Sequence, residues 1–163
     1  LHPAGGHQLL AVGQDADRRG RVRGVHLQLF DTRDPKRPRR TVHHRLTRGR
    51  GSSASAAQLD HHAFLYDPVT KIVALPLRDH RARWAGVVVL TFDGRGFRRL
   101  GRVDHGDFLN PKHCGGQRQC SLRAPIERVF ISGRRLVTVS RRGTKVSKLA
   151  AGCATVATIP AAR

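Results

Sequence analysis

The residues of this chain that could do chemistry fall into a few short stretches. Asp15-Ala-Asp17-Arg-Arg-Gly20 opens like an oxygen-ligand loop, because aspartates alternating ahead of a glycine turn supply part of the roughly six to eight oxygens that Ca²⁺ takes. Asp15 and Asp17 are therefore the calcium candidates. Arg19 stands where a third carboxylate is needed and no glutamate closes the loop, so ordinary turn aspartates are the plainer reading. Asp60-His61-His62, with Asp67 beyond, invites a metal or acid–base reading, since histidine is both a metal ligand and the neutral-pH switch. Neighbouring residues of a strand point to opposite faces. On that rule His61 and His62 do not share one ion, and His43-His44 meets the same objection. Asp60 and His62 are kept as ligand-binding candidates.

Cys114 and Cys120 are separated by five residues, and a disulfide closing that short loop is the natural reading for an oxidising compartment. Free thiols are a second reading. A metal site borrowing His113 or His105 is a third, although the spacing is not that of a zinc finger. Cys153 is the odd cysteine, expected buried at the start of a strand. No nucleophile elbow, phosphate-binding loop, zinc-protease motif or dinucleotide fingerprint is present. Ser52-Ser53 and Ser140 have no base that the sequence places beside them, so nothing here proposes catalysis.

With 31 Lys and Arg against 11 Asp and Glu, the formal charge is +20, a field that attracts polyanions. Arg18, Arg19, Arg21, Arg23, Arg141 and Arg142 are the candidates for such binding, with the run Arg37–Arg45 beside them. The arginines are spread along the whole chain, however, and one Trp, one Tyr and six Phe give few rings for stacking bases. Nucleic acid is therefore a disfavoured partner, and a solvated arginine-rich surface is the plainer reading. No apolar window is long enough for a membrane helix, and no signal-peptide pattern is visible. The chain starts at Leu1 and lacks Met, which reads as a piece of a longer protein.

The elements that must position these residues form a repeat. His7–Gly13, Lys71–Leu77 and Arg134–Ser140 are apolar runs spaced about 63–65 residues apart, each preceded by a turn and followed by a second apolar run. Short runs of β-branched and aromatic residues cut by Gly, Pro and Asp group into three sets of four strands. Ala4-Gly5-Gly6, Asp67-Pro68 and Ser132-Gly133 supply the turns that join first to second strands. A four-stranded meander of this kind is a propeller blade. The fold class is all-β: a β-propeller of about three four-stranded antiparallel blades, belonging to a larger, incomplete ring. The blades span roughly residues 1–47, 60–105 and 125–161 within one partial domain, 1–163. A linker at 106–124 carries the cysteine pair, and Arg48–Ala57 is a Gly/Ser/Ala-rich excursion. Three blades do not close a ring, so further blades of the same chain, or an oligomer, are expected to complete it.

His2-Pro3, Gly13-Gln-Asp15-Ala-Asp17, Leu29-Phe30-Asp31 with Asp34-Pro35, Asp60–Asp67, and Ile126–Gly133 through Leu136–Ser140 resemble bacterial secreted proteins with a C-terminal β-propeller domain. The likeness runs from Leu1 to about Pro160. It implies a secreted or cell-surface protein, whose only membrane contact would be an anchor ahead of Leu1. No catalytic activity carries over from it. The heavy arginine content departs from that family, as does Arg18-Arg19 where acidic residues are expected. The functional reading is a non-catalytic binding scaffold, engaging a protein or carbohydrate ligand at the loops on one end of the channel; His62, on a first strand, would line the channel itself. Polyanion binding is the alternative, and a hydrolase or lyase at the channel mouth is another. No cofactor is expected beyond the calcium candidate.

Overall fold

The computed structural model describes residues 1–47 and 53–162. Residues 48–52 of the expected excursion, including Ser52, lie outside them. The first sheet is a meander of β1 (His2–Gly5), β2 (Gln8–Ala16), β3 (Val22–Asp31) and β4 (Arg39–Arg45). The second runs β5 (Ser53–Ala54), β7 (Ile72–Asp79), β8 (Trp84–Phe92) and β9 (Phe97–Val103), with β6 (Leu65–Asp67) also paired to β7. The third is β10 (Ile126–Ser132), β11 (Arg135–Ser140), β12 (Gly143–Lys148) and β13 (Thr155–Pro160). All pairs within the three sheets are antiparallel. This is the expected architecture: three blades of an incomplete β-propeller.

The middle sheet explains its own sequence. β7 and β8 read as nearly unbroken apolar runs because both of their faces are covered. Val73, Leu75, Leu77, Val88, Leu90 and Phe92 pack toward Leu10, Val25, Leu27 and Leu29 of the first sheet. Ile72, Ala74, Val87 and Val89 pack toward Ile126, Val129 and Leu136 of the third. Truncating a fully buried leucine such as Leu75 to alanine costs about 2–5 kcal/mol. The first sheet uses alternation instead, with Leu27 and Leu29 inward and His26 and Gln28 on the other face.

The repeat extends to backbone conformation. His7 and Lys71, each just before a second strand, take φ of 61° and 56°, and Gly133 stands at 55° in the matching turn. A side chain in the left-handed region costs about 1 kcal/mol relative to glycine. Lys71→Gly is therefore expected to raise stability by several tenths to about 1 kcal/mol, read as a shifted urea midpoint with an unchanged m-value.

Three local expectations are corrected. The first strand expected at His62–Tyr66 is cut short to β6 (Leu65–Asp67), with β5 (Ser53–Ala54) pairing further along β7 and 3₁₀ turns at Ala56–Gln58 and His61–Ala63 between them. The cause is side-chain capping that competes with the ladder. Ser55 Oγ accepts from the Ala57 N–H, and Asp60 Oδ1 accepts from the His62 N–H. Cys153 lies ahead of β13 rather than opening it, at φ 51°. The linker holds a short helix, α1 (Gln117–Arg123), which is too brief to show a helical period in the sequence.

Candidate functional site

On the first sheet, the face away from the shared core carries Asp15 of β2, His26 of β3 and His43 of β4. Strand register brings them together: Gly13 opposes His26, and His26 in turn opposes Arg45. Asp15 and His43 are thus the diagonal neighbours of His26 on the two flanking strands, close enough for side chains to meet. His43 Nε2 lies 3.2 Å from His26 Nδ1. Asp15 Oδ1 is 3.6 Å from the first nitrogen and 3.8 Å from the second. Arg45 Nε donates to the other oxygen, Oδ2, at 2.6 Å. Asp15 and His26 are buried while the His43 ring stays partly open. Burial, helped by the neighbouring His43, pushes the His26 pKa down, with the Asp15 carboxylate opposing.

A second feature lies on the opposite side of β4, between the first two sheets. It is a cleft of about 700 Å³ with an apolar floor at Leu46, Val88 and Leu90, and basic walls formed by His44, Arg45, Arg81, Arg99 and Arg102. Asp79 is the carboxylate in its lining. Arg99 and Arg102 are three residues apart, so simple alternation would place them on opposite faces. A bulge shifts the β8–β9 register, with Val89 facing Gly101 and Leu90 facing Arg99. The extra residue, Leu100, turns both arginines toward the cleft. The Arg102 guanidinium stacks over Trp84 at 4.9 Å. Its pKa is lowered by burial first and by Arg99 second, with Asp79 opposing. His44 is likewise lowered by burial, then by Arg99. An anion in this half-buried cleft would offset the Arg99 charge that, after burial, disfavours the charged forms of both groups.

The remaining candidates are placed as follows. Asp17 does not join the Asp15 cluster; it accepts from the Arg19 and Arg21 N–H groups and from Arg21 Nε at 2.8 Å. Those turn bonds, opposed in part by burial, hold its carboxyl below the usual range. Asp15 and Asp17 are therefore each engaged separately. Among the polyanion candidates, Arg21 and Arg23 face Asp17, and Arg141 pairs with Glu127 at 3.1 Å. Arg18, Arg19 and Arg142 are exposed.

Asp60, His61 and His62 do come together, because a 3₁₀ turn rather than a strand carries them: the two rings lie 3.8 Å apart. They are exposed, and Asp60 also pairs with Arg128 of β10 at 3.0 Å. Cys114 and Cys120 form a disulfide with Cα atoms 5.0 Å apart, closing the linker loop onto α1. Cys153 is free and buried. His26 was missed by sequence reasoning, since nothing local marks a single histidine in an apolar strand. Arg99 and Arg102 escaped notice because the bulge leaves no signature in the residue types.

The sequence model of the beta propeller domain family matches residues 1–151. No curated protein and no solved structure matches the chain.

Proposed function

Since the chain belongs to the beta propeller domain family, we propose that it is an interaction scaffold that takes an anionic ligand in the cleft between its first two sheets. The fold alone names no function; the reading is carried by Arg99 and Arg102, turned together over one apolar floor. A ligand carrying carboxylate, sulfate or phosphate groups would satisfy these cations, and forked guanidinium groups suit such planar or tetrahedral anions. An acidic polysaccharide suits the cleft better than nucleic acid, whose bases would find Trp84 already covered by Arg102. The Cys114–Cys120 disulfide supports an extracytoplasmic setting, as does the resemblance to secreted proteins.

Heparin-affinity chromatography tests the reading. Arg99→Ala with Arg102→Ala is expected to lower the salt needed for elution markedly, reducing the salt slope by about one per ionic contact removed. Arg18→Ala with Arg19→Ala, which removes equal charge from an exposed turn, is expected to shift elution little. Equal losses in the two double variants would mean that net charge alone retains the protein, and would sink the cleft as the site.

A further inference from the structure

We propose that Asp15, His26 and His43 form a binding site for a divalent transition-metal ion, Zn²⁺ by the chemistry of its donors, with a fourth position open to solvent. The three ligand atoms form a triangle with edges of 3.2, 3.6 and 3.8 Å. A tetrahedral centre with Zn–N and Zn–O bonds of about 2.0–2.1 Å separates its ligand atoms by about 3.3–3.4 Å, so little side-chain movement is required. Two imidazole nitrogens and one carboxylate are a donor set for zinc, iron or cobalt, and a poor one for calcium, which takes oxygen.

The site is held by structure outside the ligands. Its three residues sit on three adjacent hydrogen-bonded strands, so their spacing is fixed by the ladder. Gly13 lies opposite His26, so that a Cβ there would only touch Nε2 at 3.6 Å and the ring is not crowded from that strand. Arg45 takes Asp15 Oδ2 and so aims Oδ1 at the two nitrogens, the role outer partners play around metal ligands. The two rings share a hydrogen bond between His43 Nε2 and His26 Nδ1. Binding requires that proton to shift to the far nitrogen of the donating ring, which leaves both facing lone pairs to the ion. Arg45 at the rim favours an anion or hydroxide in the open fourth position.

Titration of the whole chain, freed of metal, with Zn²⁺ in a calorimeter and with Co²⁺ by visible absorption tests this. One equivalent is expected to bind, and Co²⁺ to give the intense d–d bands of a tetrahedral site. His43→Ala and Asp15→Asn are each expected to weaken binding at least about tenfold. His61→Ala with His62→Ala, in the exposed cluster, is expected to leave it unchanged. Thermal melts provide the folding control: Zn²⁺ is expected to raise the Tm of the unaltered chain and not that of Asp15→Asn. Absence of binding, an octahedral Co²⁺ spectrum, or binding that survives His43→Ala and vanishes with the His61/His62 variant would overturn the site.

Discussion

His105→Ala is expected to lower the stability of the chain by about 3–4 kcal/mol, measured by urea denaturation near pH 7.5. His105 is fully buried just past β9 of the second sheet, against β11 of the third. Its Nδ1 bonds Ser140 Oγ at 2.7 Å and its Nε2 bonds Thr138 Oγ1 at 2.9 Å, both from β11. Around it, Lys145 Nζ donates to the Asp104 carbonyl at 2.7 Å, and Trp84 Nε1 donates to the Asp104 carboxylate at 2.9 Å. Phe108 closes the ring face at a centroid distance of 5.1 Å. Removing the imidazole leaves a cavity and a buried Thr138 hydroxyl without its partner. Both penalties act together.

The same residue sets a pH dependence. Burial first, and the Lys145 charge second, push the His105 pKa down to about 4, with Asp107 and Asp104 opposing. The unfolded chain takes up the proton near the ordinary histidine value of about 6.5, so between about pH 6.5 and 4 it binds more protons than the folded chain. The stabilisation is fully present above that window and is lost as the pH falls through it, by up to roughly 3 kcal/mol. Urea midpoints at pH 7.5, 6 and 5 should decline steeply for the unaltered chain and less steeply for His105→Ala. His26 and His44 are shifted the same way, so some slope should remain. An unchanged slope in the variant would place the effect elsewhere.

The second large effect is expected at Gly101. Here β9 of the second sheet meets the turn before β13 of the third, with the Gly152 N–H donating to the Leu100 carbonyl at 2.9 Å. A Cβ on residue 101 would fall 2.6 Å from Cys153 Sγ and 2.8 Å from the Gly152 carbonyl carbon. The sulfur could turn aside; the backbone could not without parting the sheets. Gly101→Ala is expected to cost about 1–3 kcal/mol. It should also speed thiol labelling of Cys153, whose burial now raises its pKa and shields it. Gly96→Ala, where a Cβ meets nothing within 4 Å, is the control and should leave both unchanged. If the two variants labelled equally fast, the contact at Gly101 would not be what holds the sheets together.

The blade pattern was legible because it is written locally. Val87-Val-Val-Leu90 reads as a strand from its β-branched run, and Ala4-Gly5-Gly6, Asp67-Pro68 and Ser132-Gly133 mark the same turn three times. The Cys114–Cys120 pairing was equally local, since a five-residue gap brings the two thiols within reach of each other. His61 and His62 show where local reading misleads. The strand rule separates them, but Asp60 caps a 3₁₀ turn and puts both rings on one side.

Composition, alternation and turn chemistry were enough to specify three four-stranded meanders and a strongly basic surface, because each depends on residues adjacent in the chain. The tertiary structure alone decided which residues meet across strands. Asp15, His26 and His43 come from three strands, and their meeting depends on a register set by how Leu27 and Leu29 pack against the second sheet. Arg99 and Arg102 share a cleft because one bulged residue reverses the alternation between them. Register and bulges are settled by burial between sheets. That is a long-range condition, and no short window of sequence records it.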